Sequence, residues 1–127
     1  MKRSVLLIVM MLLALSGCGE KDVENTYRQI SQEEAKKMMD TQEVIVLDVR
    51  EQDEYDAGHI PGAALLPVGA ISEETAASVI PELSSIVLVY CRSGNRSKTA
   101  SAALAELGYT NICEFGGINT WPYEVEK

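Results

Sequence analysis

Cys91 begins a run of residues suited to holding a thiol in its ionised form. The run is Tyr90-Cys91-Arg92-Ser93-Gly94-Asn95-Arg96-Ser97. An apolar segment, Ile86-Val87-Leu88-Val89, precedes it, and a small-residue segment with helical character, Lys98 to Leu107, follows. The cysteine is therefore expected at a strand end, in a tight polar loop, at the start of a helix. A helix N-terminus leaves backbone N–H groups without partners and carries partial positive charge. A curled loop aims further N–H groups at a common centre. Arg92 and Arg96 add full charges. All of these favour thiolate over thiol, and the thiolate is the nucleophile. Gly94 permits the positive φ of a tight turn, and Ser93, Asn95 and Ser97 are short enough to leave the centre open. The same cradle suits a small anion. Free cysteines are often inert packing residues, but an apolar packing site would not surround a thiol with cations.

The elements that must position this loop follow from the rest of the chain. Tyr27 to Ile30 is expected as a first strand. Ser31 and Glu34 have the spacing of a capping box, opening a helix from Gln32 to Met39 with Ala35, Met38 and Met39 inward. Val44 to Leu47 is a continuous apolar strand of the buried type, ending in Asp48-Val49-Arg50. A short acidic helix, Asp53 to Ala57, stops at Gly58, and a turn leads to a short strand, Ala63 to Leu66. Ser72 caps a helix reaching Ile80, which Pro81 ends. After the cysteine loop and its helix, Ile112 to Phe115 is the last strand, and Gly116-Gly117 turns into a final helical piece carrying Trp121. Helices alternating with apolar strands predict an α/β fold with a mainly parallel central sheet flanked by helices. Sites in such sheets lie at the C-terminal strand ends, where Cys91 falls.

The N-terminus reads differently. Met1-Lys2-Arg3-Ser4 is basic, and Val5 to Leu15 is an unbroken apolar run of eleven residues. A spanning helix needs about 20, so basic, apolar and small residues in this order have the form of a secretory signal. Leu15-Ser16-Gly17-Cys18 resembles a bacterial lipobox. That resemblance implies cleavage before Cys18, lipidation of Cys18, and an extracytoplasmic protein anchored to a bacterial membrane through lipid alone. The expected division is signal 1–17, lipidated cysteine and tether 18–26, and one domain 27–127. The whole chain carries a net charge of −8; without Lys2 and Arg3 its eleven basic residues become nine against nineteen acidic ones, or −10. Such a surface argues against nucleic acid and anionic lipid as partners.

Cys18, Cys91 and Cys113 are the three cysteines, His59 is the sole histidine, and there is no C-x-x-C. A zinc site is not expected, nor any other cofactor. With Cys91 at the end of one parallel strand and Cys113 near the start of another, the two should stand about 10 Å apart along the sheet. A bridge needs Cα atoms within about 7 Å, so none is expected, and Cys113 reads as a packing residue. Asp53, Glu54 and Asp56 read as a solvated helix face.

Three segments together resemble a single-domain rhodanese, a thiosulfate-type sulfurtransferase. They are Asp48-Val49-Arg50 with Glu54-Tyr55, Gly58-His59-Ile60-Pro61-Gly62-Ala63 and Leu66-Pro67; the loop Cys91 to Arg96; and Gly116-Gly117-Ile118 with Trp121. The resemblance implies that Cys91 attacks the outer sulfur of thiosulfate, that sulfite leaves, and that the resulting persulfide passes its sulfur to cyanide or a thiol. It implies substrate contacts from Arg92, Ser93, Gly94, Asn95 and Arg96, with the arginines on the sulfonate and Arg96 the more firmly assigned. Asp48 and Arg50 would brace the cysteine loop from behind or pair locally, and His59 would hydrogen-bond a neighbouring loop. Phosphatases and arsenate reductases on the same fold are the nearest rival. Cys91 to Arg96 is six residues, one fewer than the corresponding phosphatase loop, and the shorter loop suits a sulfur atom better than a phosphate. A second rival is a persulfide carrier or partner-binding module without turnover.

Overall fold

The computed structural model describes residues 26–127. The signal, Cys18 and the tether up to residue 25 lie outside the described residues. Five strands form one parallel sheet: β1 (Arg28–Gln29), β2 (Ile45–Asp48), β3 (Ala64–Leu65), β4 (Ile86–Cys91) and β5 (Asn111–Gly117). Their order is β1-β5-β4-β2-β3. β4 is paired on both sides, by β2 and β5, which explains its unbroken apolar sequence.

Four α-helices cover the sheet: α1 (Gln32–Thr41), α2 (Gln52–Ala57), α3 (Glu73–Val79) and α4 (Asn95–Glu106). On one face, Ala76 and Ile80 beside α3 and Ala100 and Leu104 of α4 pack on Leu47, Val87, Val89 and Ile112. On the other, Ala35 and Met38 of α1 pack on Val46, Leu88, Tyr90, Cys113 and Phe115. Alternate residues of β4 thus feed opposite cores, as a strand's two-residue period requires. Cys91 belongs to the α3/α4 side and Tyr90 to the α1 side.

Local chemistry sets the helix ends. Ser31 Oγ accepts from the Glu34 N–H at 3.0 Å, the N-cap half of the expected box. Ser72 and Thr75 complete a reciprocal box at α3. α4 begins at Asn95, three residues before the expected start, because Gly94 caps it in the left-handed region at φ 105°. β5 runs on to Gly117, past the expected Phe115, with a register shift between Val89 and Cys91. Trp121 follows a short 3₁₀ turn, Ile118–Thr120, instead of riding within it.

No helix among the described residues is long and apolar enough to cross a membrane.

Candidate active site

Cys91 is the last residue of β4, paired with Gly117 of β5. The chain then reverses through Arg92-Ser93-Gly94 and enters α4. Cys91 is only 1% exposed, and its Sγ accepts from the Gly94 N–H at 3.0 Å and lies 3.4 Å from Ser97 Oγ. Burial works against the thiolate. Hydrogen bonds from the Ser97 hydroxyl and from the N–H groups of Ser97, Gly94 and Ser93 outweigh it, so the thiol is held below its ordinary range. The loop is pinned from behind. The Asn119 N–H donates to the Arg92 carbonyl at 3.1 Å, and a β-carbon on Gly117 would overlap that carbonyl.

The two loop arginines differ. Arg92 is exposed. Arg96 donates through Nη1 and Nη2 to the two carboxylate oxygens of Glu54, at 2.8 and 2.9 Å. The Arg96 hydrogen bond holds the Glu54 carboxyl down to about 2. Glu54 is therefore no member of a solvated acidic face; α2 aims it at the cysteine loop. Ser93 and Asn95 are exposed, and Gly94 is buried.

Glu114 of β5 is not among the site residues expected from the sequence. It is 2% exposed. Its Oε2 accepts from Ser97 Oγ at 2.5 Å and from the Gly116 N–H at 2.9 Å, and its Oε1 from Gln29 Nε2 at 3.2 Å. The available signal was a lone acid inside an otherwise apolar strand, Ile112-Cys113-Glu114-Phe115. Buried charges of this kind are paired or functional.

Asp48 and Arg50 lie together at the end of β2. Arg50 donates to Asp48 from Nε at 2.9 Å and Nη2 at 2.7 Å, and from Nη2 to the Gly58 carbonyl at 2.7 Å. Tyr90 Oη donates to Asp48 Oδ2 at 2.6 Å and accepts from the Ile60 N–H at 3.1 Å. Burial and the Asp48 hydrogen bond push the Tyr90 phenol up. These bonds tie the 58–60 turn to β4 through Cys91's chain neighbour; they run to Tyr90 and Gly58, not to the 91–96 loop. His59 Nδ1 lies 2.9 Å from the Tyr55 carbonyl, and its ring stacks on Tyr55 with centroids 3.7 Å apart.

Cys113 pairs with Leu88, three residues before Cys91 on β4, and packs into the opposite core. Both thiols are free. Arg28 donates to Cys113 Sγ at 3.1 Å, while burial pushes that thiol up. Among the described residues no cluster of His, Cys, Asp or Glu is placed to hold a metal ion.

This arrangement can ionise a thiol, cradle what is bonded to it with backbone N–H groups, and present cationic groups at the rim. The family model of the rhodanese-like domain matches residues 31–123. The thiosulfate sulfurtransferase GlpE of Coxiella burnetii is 35% identical over 98 residues, which cover 75% of this chain and 87% of the relative. The thiosulfate sulfurtransferase PspE of Escherichia coli is 36% identical over 72 residues, 57% of this chain and 68% of the relative. A mitochondrial protein of Schizosaccharomyces pombe, provisionally named a thiosulfate sulfurtransferase, is 42% identical over 83 residues, and the match spans only 58% of its length. Among solved structures, a rhodanese with anions from E. coli superposes with a TM-score of 0.62 at 30% identity, covering 67% of this chain and 99% of the other. With the matched segment running from the cap of α1 past Trp121, and the cysteine loop, the sheet order and the relatives agreeing, the chain belongs to the rhodanese-like sulfurtransferase family.

Proposed function

We propose that this protein moves sulfane sulfur from thiosulfate, or a polysulfide or persulfide, to a thiophilic acceptor through a persulfide on Cys91. One observation carries the reading: Sγ sits at the floor of a six-residue loop, against the Gly94 N–H at 3.0 Å, where the loop's hydrogen bonds hold its thiol below the ordinary range. The Cys91 thiolate attacks the outer sulfur of thiosulfate. A new S–S bond forms, the bond to the sulfonate sulfur breaks, and its electron pair leaves with sulfite. The charge then rests on the terminal sulfur, where the loop N–H groups stabilise it much as an oxyanion hole does. A thiolate or cyanide attacks that terminal sulfur and regenerates the Cys91 thiolate, a ping-pong cycle. Cys91's depth supports a donor that presents one narrow terminal sulfur, in preference to a tetrahedral phosphate. Arg92, exposed at the rim, and Arg96 supply the cationic wall for an anionic donor, and forked guanidinium donors suit a sulfonate. The test is thiosulfate-to-cyanide transfer by the full chain beside its Cys91→Ser variant. Multiple turnovers that vanish in the variant are expected; turnover surviving in Cys91→Ser would overturn the reading.

A carrier without catalytic turnover is the second reading. It is favoured by a Bacillus subtilis relative, provisionally named the sulfur carrier protein YrkF, 33% identical over 85% of this chain and 59% of its own length. One stoichiometric persulfide on Cys91 without continued sulfite release would select it.

The order Leu15-Ser16-Gly17-Cys18 supports a further proposal, that Cys18 is lipidated and holds the domain at the outer side of a bacterial membrane. Lipid chains would supply the anchoring, at about 0.8 kcal/mol per buried CH₂. Cys18→Ala is expected to move the chain from the membrane fraction to the soluble fraction.

A further inference from the structure

Ser97 has one hydroxyl proton and stands between two groups that both need it. Its Oγ lies 2.5 Å from Glu114 Oε2 and 3.4 Å from Cys91 Sγ, with the Gly116 carbonyl also at 3.4 Å. A hydroxyl donates once and accepts twice. The short distance to Glu114 is that of a hydroxyl donating to an ionised oxygen. While that bond holds, Ser97 can only accept from Cys91, which favours the thiol. For Ser97 to donate to a Cys91 thiolate, its proton must turn to sulfur, and Oε2 must then be a donor in its place. All three groups are buried.

From this conflict we infer that Glu114 takes up the Cys91 proton through Ser97 when the nucleophile forms. The S–H bond breaks as Sγ gives its proton to Ser97 Oγ, and the former Ser97 proton passes to Glu114 Oε2. Two protons are shared by three groups before and after, and the net charge of the cluster does not change. The result is a thiolate that accepts from both Ser97 and the Gly94 N–H, beside a neutral carboxyl. Glu114 acts through Ser97 and is a positioning residue for the proton. Gly116 N–H and Gln29 Nε2 hold its two oxygens in place.

The charged groups around the cluster do not supply another route. Arg96 on α4 faces Cys91 as a cation and is clasped by Glu54 of α2. Lys98 of α4 lines the shallow cleft that Glu114 shares with Gln29, Gln32 and Ser93. Arg28 of β1 is turned to the opposite core, on Cys113. Each of these bears a positive charge and has no lone pair to receive a proton. Glu54 is committed to Arg96. Glu114 is the acceptor that Ser97 reaches.

The inference rests on Cys91 being the sulfur-bearing nucleophile, but its test needs no sulfur donor. Transfer without the relay and relay without transfer are therefore distinguishable. The readout is thiolate absorbance against pH in the full chain, taken as the difference from Cys91→Ser. In Glu114→Gln, the Gly116 N–H fixes the amide oxygen, not the NH₂, opposite Ser97. Ser97 keeps donating to it, and the proton sink is gone. The thiolate midpoint should rise by at least one pH unit, so that the thiolate fraction falls about tenfold or more at pH values well below both midpoints. A carboxylate that only packed nearby would do the opposite: deleting its negative charge would lower the midpoint. A lowered or unmoved midpoint overturns the inference. Ser97→Ala should raise the midpoint as well, and the double variant should raise it no further than the larger single effect; additive shifts would mean two independent roles. If Glu114→Gln fails to fold, infrared difference spectra of the wild type against Cys91→Ser decide the matter. A protonated-carboxyl band at a pH where Cys91 absorbs as thiolate supports the relay, and its absence overturns it.

Discussion

Arg96 spends its fork on Glu54. Both terminal nitrogens are engaged at 2.8 and 2.9 Å, so an anionic donor of the kind proposed would have to compete with a carboxylate already in place. Glu54→Gln removes the competing charge without touching the groups around Sγ. The expected outcome is a thiosulfate KM lower by roughly three- to tenfold, in line with the ~1 kcal/mol scale of partly exposed ion pairs, with kcat little changed. Steady-state kinetics would measure it. An unchanged KM would mean that Arg92 alone meets the donor. The same pair couples to pH. Glu54 is held at about 2 against an ordinary 4.5, so its stabilising contribution is present above the ordinary value and is lost as pH falls through the folded one. Wild-type denaturation midpoints should therefore fall between about pH 4.5 and pH 2 more than those of Glu54→Gln.

At the scale of elements, the cysteine loop depends on β5 as much as on its own sequence. Gly117 lies under the Arg92 carbonyl with no room for a methyl group. Its backbone is extended at φ −134°, so the demand is for space, not for an unusual conformation. Gly117→Ala is expected to push the loop outward, to cost about 1–3 kcal/mol as overpacking does, and to remove most sulfur transfer. Urea unfolding beside the cyanide assay would check both. Much of this architecture was legible in the chain. The apolar runs of β2 and β4, the Ser72 cap, Pro81 and the glycine before α4 are local signals, and the reactive loop is a contiguous stretch from Cys91 to Arg96. What the sequence did not disclose were partnerships across the chain. Glu54 and Arg96 are 42 residues apart, as are Asp48 and Tyr90, and Ser97 and Glu114 are 17 apart. Each pair exists because β5, β4 and β2 lie side by side, and hydrophobic alternation does not specify that order. The roles of Glu54 and Glu114 therefore depend on neighbours that the local sequence does not reveal.

Residues 26–127 form two cores separated by one sheet, with a polar network closing the α1 side at the strand ends. Asp48 is fully buried and Arg50 is 5% exposed. Their pairing with each other and with Tyr90 and Gly58 satisfies a charge that would otherwise sit in apolar surroundings. Asp48→Ala leaves the Arg50 guanidinium there without its counter-ion. A loss of about 3–5 kcal/mol is expected, readable as a lower urea midpoint at an unchanged slope. Sulfur transfer by the fraction that remains folded should persist, because the network's bonds go to the 58–60 turn and not to the cysteine loop.

The sheet that divides the two cores also divides Cys91 from Cys113. Cys91 and Cys113 sit on opposite faces, three register positions apart, so neither can relieve the other by forming an internal bridge. With Cys113 out of reach, an oxidant that converts Cys91 to a sulfenic acid leaves it open to further oxidation, and the sulfinic level is irreversible for most proteins. A persulfide changes that outcome: the outer sulfur takes the oxygen, and cleavage of the S–S bond by a reductant returns the cysteine intact. Peroxide-treated protein should accumulate Cys91 sulfinate when sulfur-free and recover its thiol on reduction when sulfur-loaded, with mass spectrometry of the Cys91 peptide distinguishing the two. Carrying cargo would then be this protein's safest condition at rest.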